Sequence, residues 1–216
     1  ATNVVAVDST TVTAVTPAGS VGAASVEVTG AKGTATASGA FTYIDIVVPT
    51  WATLLEATPD PAVVTDPNLR AAIVASGLAW RIKDTSSNIE MVLVPAGTFT
   101  MGCSASTQYG CVSEESPTHQ VTLSAFYIGR YEVTQAQWTA KMGSNPSYFQ
   151  AESDSPSRPV EQVSWNMIAS TGGFMSLTGL RLPTEAEWEY AYRAATTTAF
   201  HSYPAQPTGF NDDTLL

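Results

Sequence analysis

The chain has 216 residues, 44% of them hydrophobic and 13% charged, which is enough apolar side chain for one or two packed domains and too little charge for a disordered polyelectrolyte. Nine Lys and Arg against nineteen Asp and Glu leave a formal net charge of −10, so a polyanion is repelled and counterion release supplies no drive toward DNA or RNA. The longest apolar run, AAIVASGLAW from Ala71 to Trp80, is interrupted by Ser and Gly and reaches about half of the roughly twenty residues a spanning helix needs, so no membrane-spanning segment is expected. The chain opens on ATNVVAVDST, without an initiator Met or a charged-then-apolar leader pattern, and closes on NDDTLL after a loop-like stretch. It reads as a fragment.

Residues 1 to 45 are rich in Val and Thr. TTVTAVTPAG and ASVEVTGAKGTATASGAFTY place Val26 and Val28 on one side of a strand and Glu27 and Thr29 on the other, with breaks at Pro17-Ala-Gly and from Gly30 to Gly33. Period-two alternation between such breaks predicts short antiparallel strands. The order of these segments resembles the second half of an IPT/TIG domain, an immunoglobulin-like β-sandwich. The resemblance implies only a partial sandwich, because a whole one takes about 100 residues, with the remaining strands upstream. A generic Val/Thr strand segment is the competing reading, since small β-formers recur often.

Residues 46 to 89 read as a linker with a short helix and the start of a hairpin. In DPNLRAAIVASG, Asp66 is placed to cap a helix, Pro67 falls at its first position and Gly77 stops it. AWRIK and NIEMVLV flank DTSS as a hairpin. EMVLVPAGTFTMG then gives strand, Pro-Ala-Gly turn and strand, and HQVTLSAFYIGRYEVT a further extended run with Val121 and Leu123 alternating. Between them lies MGCSASTQYGCVSEESP, in which Cys103 and Cys111 bracket a polar loop. A disulfide closing that loop would contribute roughly 2 to 3 kcal/mol on the chain-entropy account and would imply an oxidising compartment: periplasmic, extracellular or cell-surface. Free thiols, and metal or redox chemistry, are the alternatives. A structural zinc needs four ligands, and the only histidines, His119 and His201, do not sit at zinc-finger spacing.

TQAQWTAKMG predicts a helix with Thr134 and Gln137 as a capping box, Val133 and Trp138 as its hydrophobic staple, and Gly143 at its end. RLPTEAEWEYAYRA predicts another. Thr184 and Glu187 form its capping box, and Glu185 sits in the first turn where negative charge meets the positive end of the helix dipole. Glu189 lies four residues before Arg193 as an exposed ion pair, while Trp188, Ala191, Tyr192 and Ala195 share an apolar face. The three carboxylates read as structural. A catalytic acid and base would have to converge on a cleft with their pKa values pushed apart.

MVLVPAGTFTMG, ESPTHQVTL, FYIGRYEVTQAQW, MGSNPSYF, RPVEQVSWN and RLPTEAEWEYA occur in that order and together resemble the formylglycine-generating enzyme family, also called the sulfatase-modifying factor family, over about residues 90 to 195. The resemblance implies an α+β domain, irregular and loop-rich, related to the C-type lectin fold, with residues 90 to 216 forming its N-terminal part after the partial β-sandwich. It implies a copper-dependent oxidase that uses molecular oxygen to convert a cysteine of a sulfatase peptide into formylglycine. The reactive cysteine pair and the calcium ligands of that family lie downstream of RLPTEAEWEYA, so no catalytic residue, no metal ligand, and neither copper nor calcium is carried over to these residues. Cys103 and Cys111 match a disulfide-closed loop, not the reactive pair. Gly172-Gly173 stands where the family has an uninterrupted helix, which predicts a broken one, since each Gly costs about 1 kcal/mol against Ala.

His119 is expected to bond backbone at a strand entrance. Glu132 is a candidate for the wall of a peptide groove, or else a partner of Arg130 or Arg181; Trp165 is a candidate for the same groove, although Trp165 and Trp188 are both expected mainly in the core. Arg181 is expected to grip a carboxylate with two hydrogen bonds. The functional readings are a formylglycine-generating oxidase of which this stretch is an inactive part, a secreted bacterial relative with other chemistry, and a non-catalytic binding or adhesion module. The corresponding partner is a peptide substrate or surface ligand, with no nucleic acid.

Overall fold

The structure, a computed structural model, describes residues 2–6, 12–15, 22–30, 33–43, 45–103 and 111–196. It divides into two compact units, Ala1–Val47 and Val48–Leu216. In the first, β1 (Thr2–Ala6) pairs antiparallel with β2 (Val12–Val15), and β3 (Gly22–Gly30) with β4 (Gly33–Tyr43). Val26 faces Ala37, Val28 faces Ala35, and Thr29 and Thr34 share a hydroxyl hydrogen bond of 2.9 Å. The alternation that predicts antiparallel strands therefore forms them. Val26 and Val28 remain 44% and 51% exposed, so the described residues of this unit form ribbons and no sandwich core.

The second unit is built on a four-stranded antiparallel sheet, in the order β10 (Phe126–Gly129), β7 (Glu90–Val94), β6 (Arg81–Asp84), β5 (Ala52–Glu56). Residues 46 to 89 hold the expected short helix and, in β6, the first strand of the expected hairpin, and they also supply β5, so that they contribute half of the sheet. The composition that suggests a connector, with its Pro and Asp residues, belongs to the crossing between β5 and β6, which carries α1 (Pro67–Ala75). That helix is capped as expected by Asp66, whose carboxylate accepts from the Asn68 N–H at 2.8 Å, and Gly77 turns the chain at φ +68°. The hairpin around DTSS also forms. Asp84 is buried and accepts from the backbone N–H and hydroxyl of Ser87 at 2.5 and 2.6 Å, which gives the tight turn its internal partners.

β8 (Gly97–Met101) pairs with β9 (His119–Leu123) as a separate ribbon. Pro95-Ala96-Gly97 therefore does not close a hairpin but passes the chain from one sheet to another. Ser124-Ala125 does the same between β9 and β10. His119 opens β9 with its ring Nδ1 3.4 Å from the Pro117 carbonyl.

The core lies where α2 (Gln135–Met142) and α4 (Phe174–Thr178) meet the sheet. Trp138 and Phe174 stack with ring centroids 5.2 Å apart and planes 1° from parallel, beside Ile89, and Met91, Val133 and Leu180 pack around them. The expected capping box of α2 is present, Thr134 Oγ1 accepting from the Gln137 N–H at 3.2 Å and Gln137 Oε1 from the Thr134 N–H at 3.0 Å, and Gly143 ends the helix at φ +74°. The break at Gly172-Gly173 is likewise real, separating α3 (Trp165–Ala169) from α4. Its cause is steric. A Cβ on Gly173 would lie 2.7 to 2.9 Å from the carbonyl oxygens of Met167, Ile168 and Ser170.

Gly173→Ala is therefore expected to destabilise the protein by about 1 to 3 kcal/mol, as overpacking against rigid backbone does. Urea denaturation followed by tryptophan fluorescence measures it. An unchanged midpoint would show that the α3–α4 turn yields freely.

Candidate functional site

RLPTEAEWEY begins as irregular chain and becomes α5 (Glu185–Arg193). Thr184 adopts extended φ/ψ of −69° and 162° and caps the helix through Oγ1, which accepts from the Glu187 N–H at 3.2 Å. Glu187 completes the capping box by accepting from the Thr184 N–H at 2.8 Å. The same carboxylate takes two hydrogen bonds from Arg181, Nη1 to Oε2 at 2.7 Å and Nη2 to Oε1 at 2.6 Å. The fork-on-fork geometry is the one that makes Arg–carboxylate pairs strong. These bonds, above all those from Arg181, hold the Glu187 carboxyl down to about 2 from an ordinary 4.5 against the opposing effect of its burial, and Glu187 in turn raises the Arg181 guanidinium.

The other end of α5 is a second anchor. Glu189 Oε1 accepts from the Gly102 N–H at 3.0 Å and from Arg193 Nε at 2.8 Å, and Arg193 Nη2 donates to the Gly102 carbonyl at 2.8 Å. The next residue, Cys103, is joined to Cys111 in a disulfide with Cα atoms 5.4 Å apart; residues 104–110 of that loop lie outside the described residues. Between the anchors, the Tyr190 ring packs on Phe99 of β8 with centroids 5.1 Å apart and its hydroxyl lies over Gly97, where no side chain stands in the way.

Two expectations are overturned here. Glu189 and Arg193 are not an exposed pair: their side chains are only 19% and 12% exposed. Trp188, expected in the core, is 57% exposed and stacks on Tyr192, the ring planes 5° from parallel. The physical reason is that α5 is held by Arg181 through Glu187, by the backbone of Gly102 through Glu189 and Arg193, and by Phe99 and Gly97 under the Tyr190 ring, so its charged side turns inward and the Trp188–Tyr192 stripe outward. Trp165 is also exposed, at the first position of the short α3, and does not belong to the core.

The Arg181–Glu187 pair forms part of the wall of a cleft of about 520 Å³, bounded by β10 from Phe126 to Gly129 on one side and by Thr178 to Arg181 and Pro183 on the other, with Trp51 and Met91 adding apolar surface. Trp51 meets the Tyr127 ring edge-on at 6.1 Å, and the Tyr127 hydroxyl donates to the Ala79 carbonyl at 2.7 Å. Of the expected site residues, Arg181 and Glu187 line this cleft and Thr184 braces them. Glu132 and Trp165 do not line it, and Glu132 pairs with neither arginine: Arg130 sits 3.7 Å from Glu90, and Arg181 is taken by Glu187. Sequence reading missed the contribution of β10, and nothing local marks it, because FYIG becomes a cleft wall only through a segment fifty residues later.

Chemically the cleft is suited to holding, not to proton transfer. Glu187 stays ionised far below neutrality, and the Asp84 carboxylate is engaged by Ser87. Among the described residues no three His, Cys, Asp or Glu side chains gather as a metal site. Both cysteines of the chain are joined to each other, so no free thiolate, the donor that selects Cu(I), is available among the described residues.

Residues 79–213 match the family described as Sulfatase-modifying factor enzyme 1-like domain. Chaperone protein LppX of Paenibacillus barcinonensis is 32% identical over 159 residues, 57% of this chain and 52% of that protein. Formylglycine-generating enzyme of Bos taurus is 29% identical over 154 residues, 48% of this chain and 39% of that protein. The structure of PvdO from Pseudomonas aeruginosa, 28% identical, aligns with a TM-score of 0.47 over 60% of this chain and 56% of its own. The chain thus spans about half or less of the length of these curated relatives.

Glu187→Gln is expected to cost about 1.5 to 3 kcal/mol at pH 7, the range for hydrogen bonds to a charged group. Because the folded carboxyl titrates below its unfolded counterpart, the advantage of the native protein is full above about pH 4.5 and fades as pH falls toward 2. Denaturation midpoints of both proteins from pH 7 to pH 2 measure this; a gap that widens in acid would contradict it.

Proposed function

Because the chain belongs to the sulfatase-modifying factor enzyme 1-like family, matched over residues 79–213, we propose that it is the part of a polypeptide-modifying protein that walls the substrate site while contributing no reacting group. The whole protein's activity on this reading is that of the relatives named formylglycine-generating enzyme, the oxidation of a peptide cysteine. The observation that carries the reading is the cleft itself. It combines apolar walls with an ion pair whose members satisfy each other and with Asp84, whose carboxylate accepts from Ser87, which suits binding of a largely apolar extended segment.

In the family's chemistry copper activates oxygen; none of that is assigned to these residues. Their contribution is positional. Arg181 holds Glu187, Glu187 holds the turn into α5, and α5 holds β8 and the disulfide loop, so the wall opposite β10 stays in place when a ligand enters. The disulfide supports a location outside the cytosol, periplasmic, extracellular or at a cell surface, and the antiparallel Val/Thr ribbons of residues 2–43 support an IPT/TIG-like module preceding the family domain. A binding module without chemistry is the second reading, favoured by the closure of both cysteines in one disulfide.

The test is made on the intact 216-residue chain, prepared under oxidising conditions. Thiol titration in denaturant should find no free thiol. A Cys-x-Pro-x-Arg peptide should bind, by fluorescence anisotropy, and remain unoxidised with or without added copper. Aldehyde formation, or the absence of any peptide binding, would overturn the assignment.

A further inference from the structure

Resting on the reading of the cleft as a peptide site, we propose that its ligand binds by strand addition: an extended segment, apolar within the cleft and basic at its flanks, lies along the open edge of β10 as a fifth strand. β10 is the last strand of its sheet, paired on one side only, to β7. The register fixes which backbone groups are free. Arg130 N–H donates to the Glu90 carbonyl at 2.9 Å, and the Leu93 N–H donates in the other direction, to Trp80 next to β6, also at 2.9 Å. In an antiparallel pair the bonded positions alternate, so Phe126 and Ile128, opposite Val94 and Val92, bond β7. Tyr127 and Gly129 point their N–H and C=O groups away from it, and no described residue answers them.

Those free groups border the cleft, since Phe126 to Gly129 form its wall. Open strand edges are ordinarily protected by Lys, Pro, a bulge or a covering element; Phe-Tyr-Ile-Gly carries none of the first three. Four such residues extend for about 13 Å, and a volume of about 520 Å³ falls in the roughly 300 to 1,000 Å³ range of ligand clefts. The opposite wall decides the kind of occupant. Thr178 to Arg181 and Pro183 line the cleft together with β10, which leaves an enclosed slot of the kind a single extended segment fills. Backbone bonds then supply affinity and alternate side chains specificity, as in other strand-addition complexes.

The chemistry of the segment follows from the walls. Trp51, Met91, Leu180 and Pro183 present apolar surface, Arg181 with Glu187 neutralise each other, and the Asp84 carboxylate is taken up by the Ser87 N–H and hydroxyl, so the interior suits a largely apolar segment. The chain's net charge of −10 favours basic residues where the ligand leaves the cleft. Proline is excluded at positions whose N–H must reach Tyr127 or Gly129.

The experiment uses the native chain and a labelled peptide, Lys-Lys-Val-Thr-Val-Thr-Val-Lys-Lys, with two relatives N-methylated at the three Val or at the two Thr. Alternate amides of a strand face one neighbour, so strand addition predicts that one methylated form loses at least about tenfold in affinity while the other stays within about threefold. Hydrogen exchange with saturating peptide should slow at the Tyr127 and Gly129 amides and leave those of Phe126 and Ile128 unchanged, and affinity should fall with added salt. Equal affinity of the two methylated forms, or protection elsewhere, would overturn strand addition while leaving the peptide site intact. Failure of every peptide to bind would overturn the peptide site itself. Protection of Tyr127 and Gly129 that grows with protein concentration in the absence of peptide would place a second copy on the edge and refute the peptide occupant.

Discussion

The second unit depends on one carboxylate. Glu187 receives the guanidinium of Arg181 in a two-point grip and completes the capping box of α5 by accepting the Thr184 backbone N–H, so two requirements of the fold converge on its two oxygens. The backbone donors at the start of a helix have no partner within the helix, and a buried carboxylate without donors would be costly. Each problem resolves the other. The bonds that satisfy the helix start also keep the carboxylate ionised, and removing any partner leaves a desolvated charge or an orphan N–H behind.

The cleft follows from that knot. Glu187 fixes Arg181, and Arg181 with Thr178 to Leu180 and Pro183 lines the cleft together with β10, Met91, Asp84 and Trp51. At the far end of α5, Glu189 and Arg193 grip both backbone groups of Gly102, beside the disulfide at Cys103. The helix therefore works as a strut between two backbone clamps, and the acidic residues of RLPTEAEWEY are spent on structure. The Glu187 carboxylate is taken up by Arg181 and Thr184, and both thiols of the chain are closed in the disulfide.

Local chemistry was legible in the sequence to the extent that it is local. Asp66, Thr134 and Thr184 all cap as their spacing predicts, Gly172-Gly173 interrupts a helix, Arg181 grips a carboxylate in two-point fashion, and the two cysteines pair. What failed involves partners far along the chain. The apolar stripe of Trp188 and Tyr192 has the period of a buried face, yet α5 turns inward the side whose charges find Gly102, 87 residues earlier for Glu189. No periodicity encodes that. Likewise β5 looks like part of a linker because a helix-bearing segment separates it from its partner β6, and β7 and β8 look like a hairpin because a Pro-Ala-Gly turn joins them; pairing across the sheet overrides both patterns. Glu132 and Trp165 were drawn toward a groove by family position, and the cleft lies along other residues.

The central claim is that Glu187 is an ionised structural acceptor. Carbon-13 NMR of the glutamate side-chain carboxyls, with the resonance assigned by comparison with Glu187→Gln, reports its titration directly. The account predicts a midpoint near 2, with the carboxyl anionic throughout the neutral and mildly acidic range; a midpoint at or above the ordinary 4.5 would show that Arg181 and Thr184 do not hold the anion, and would return Glu187 to the list of candidate proton carriers.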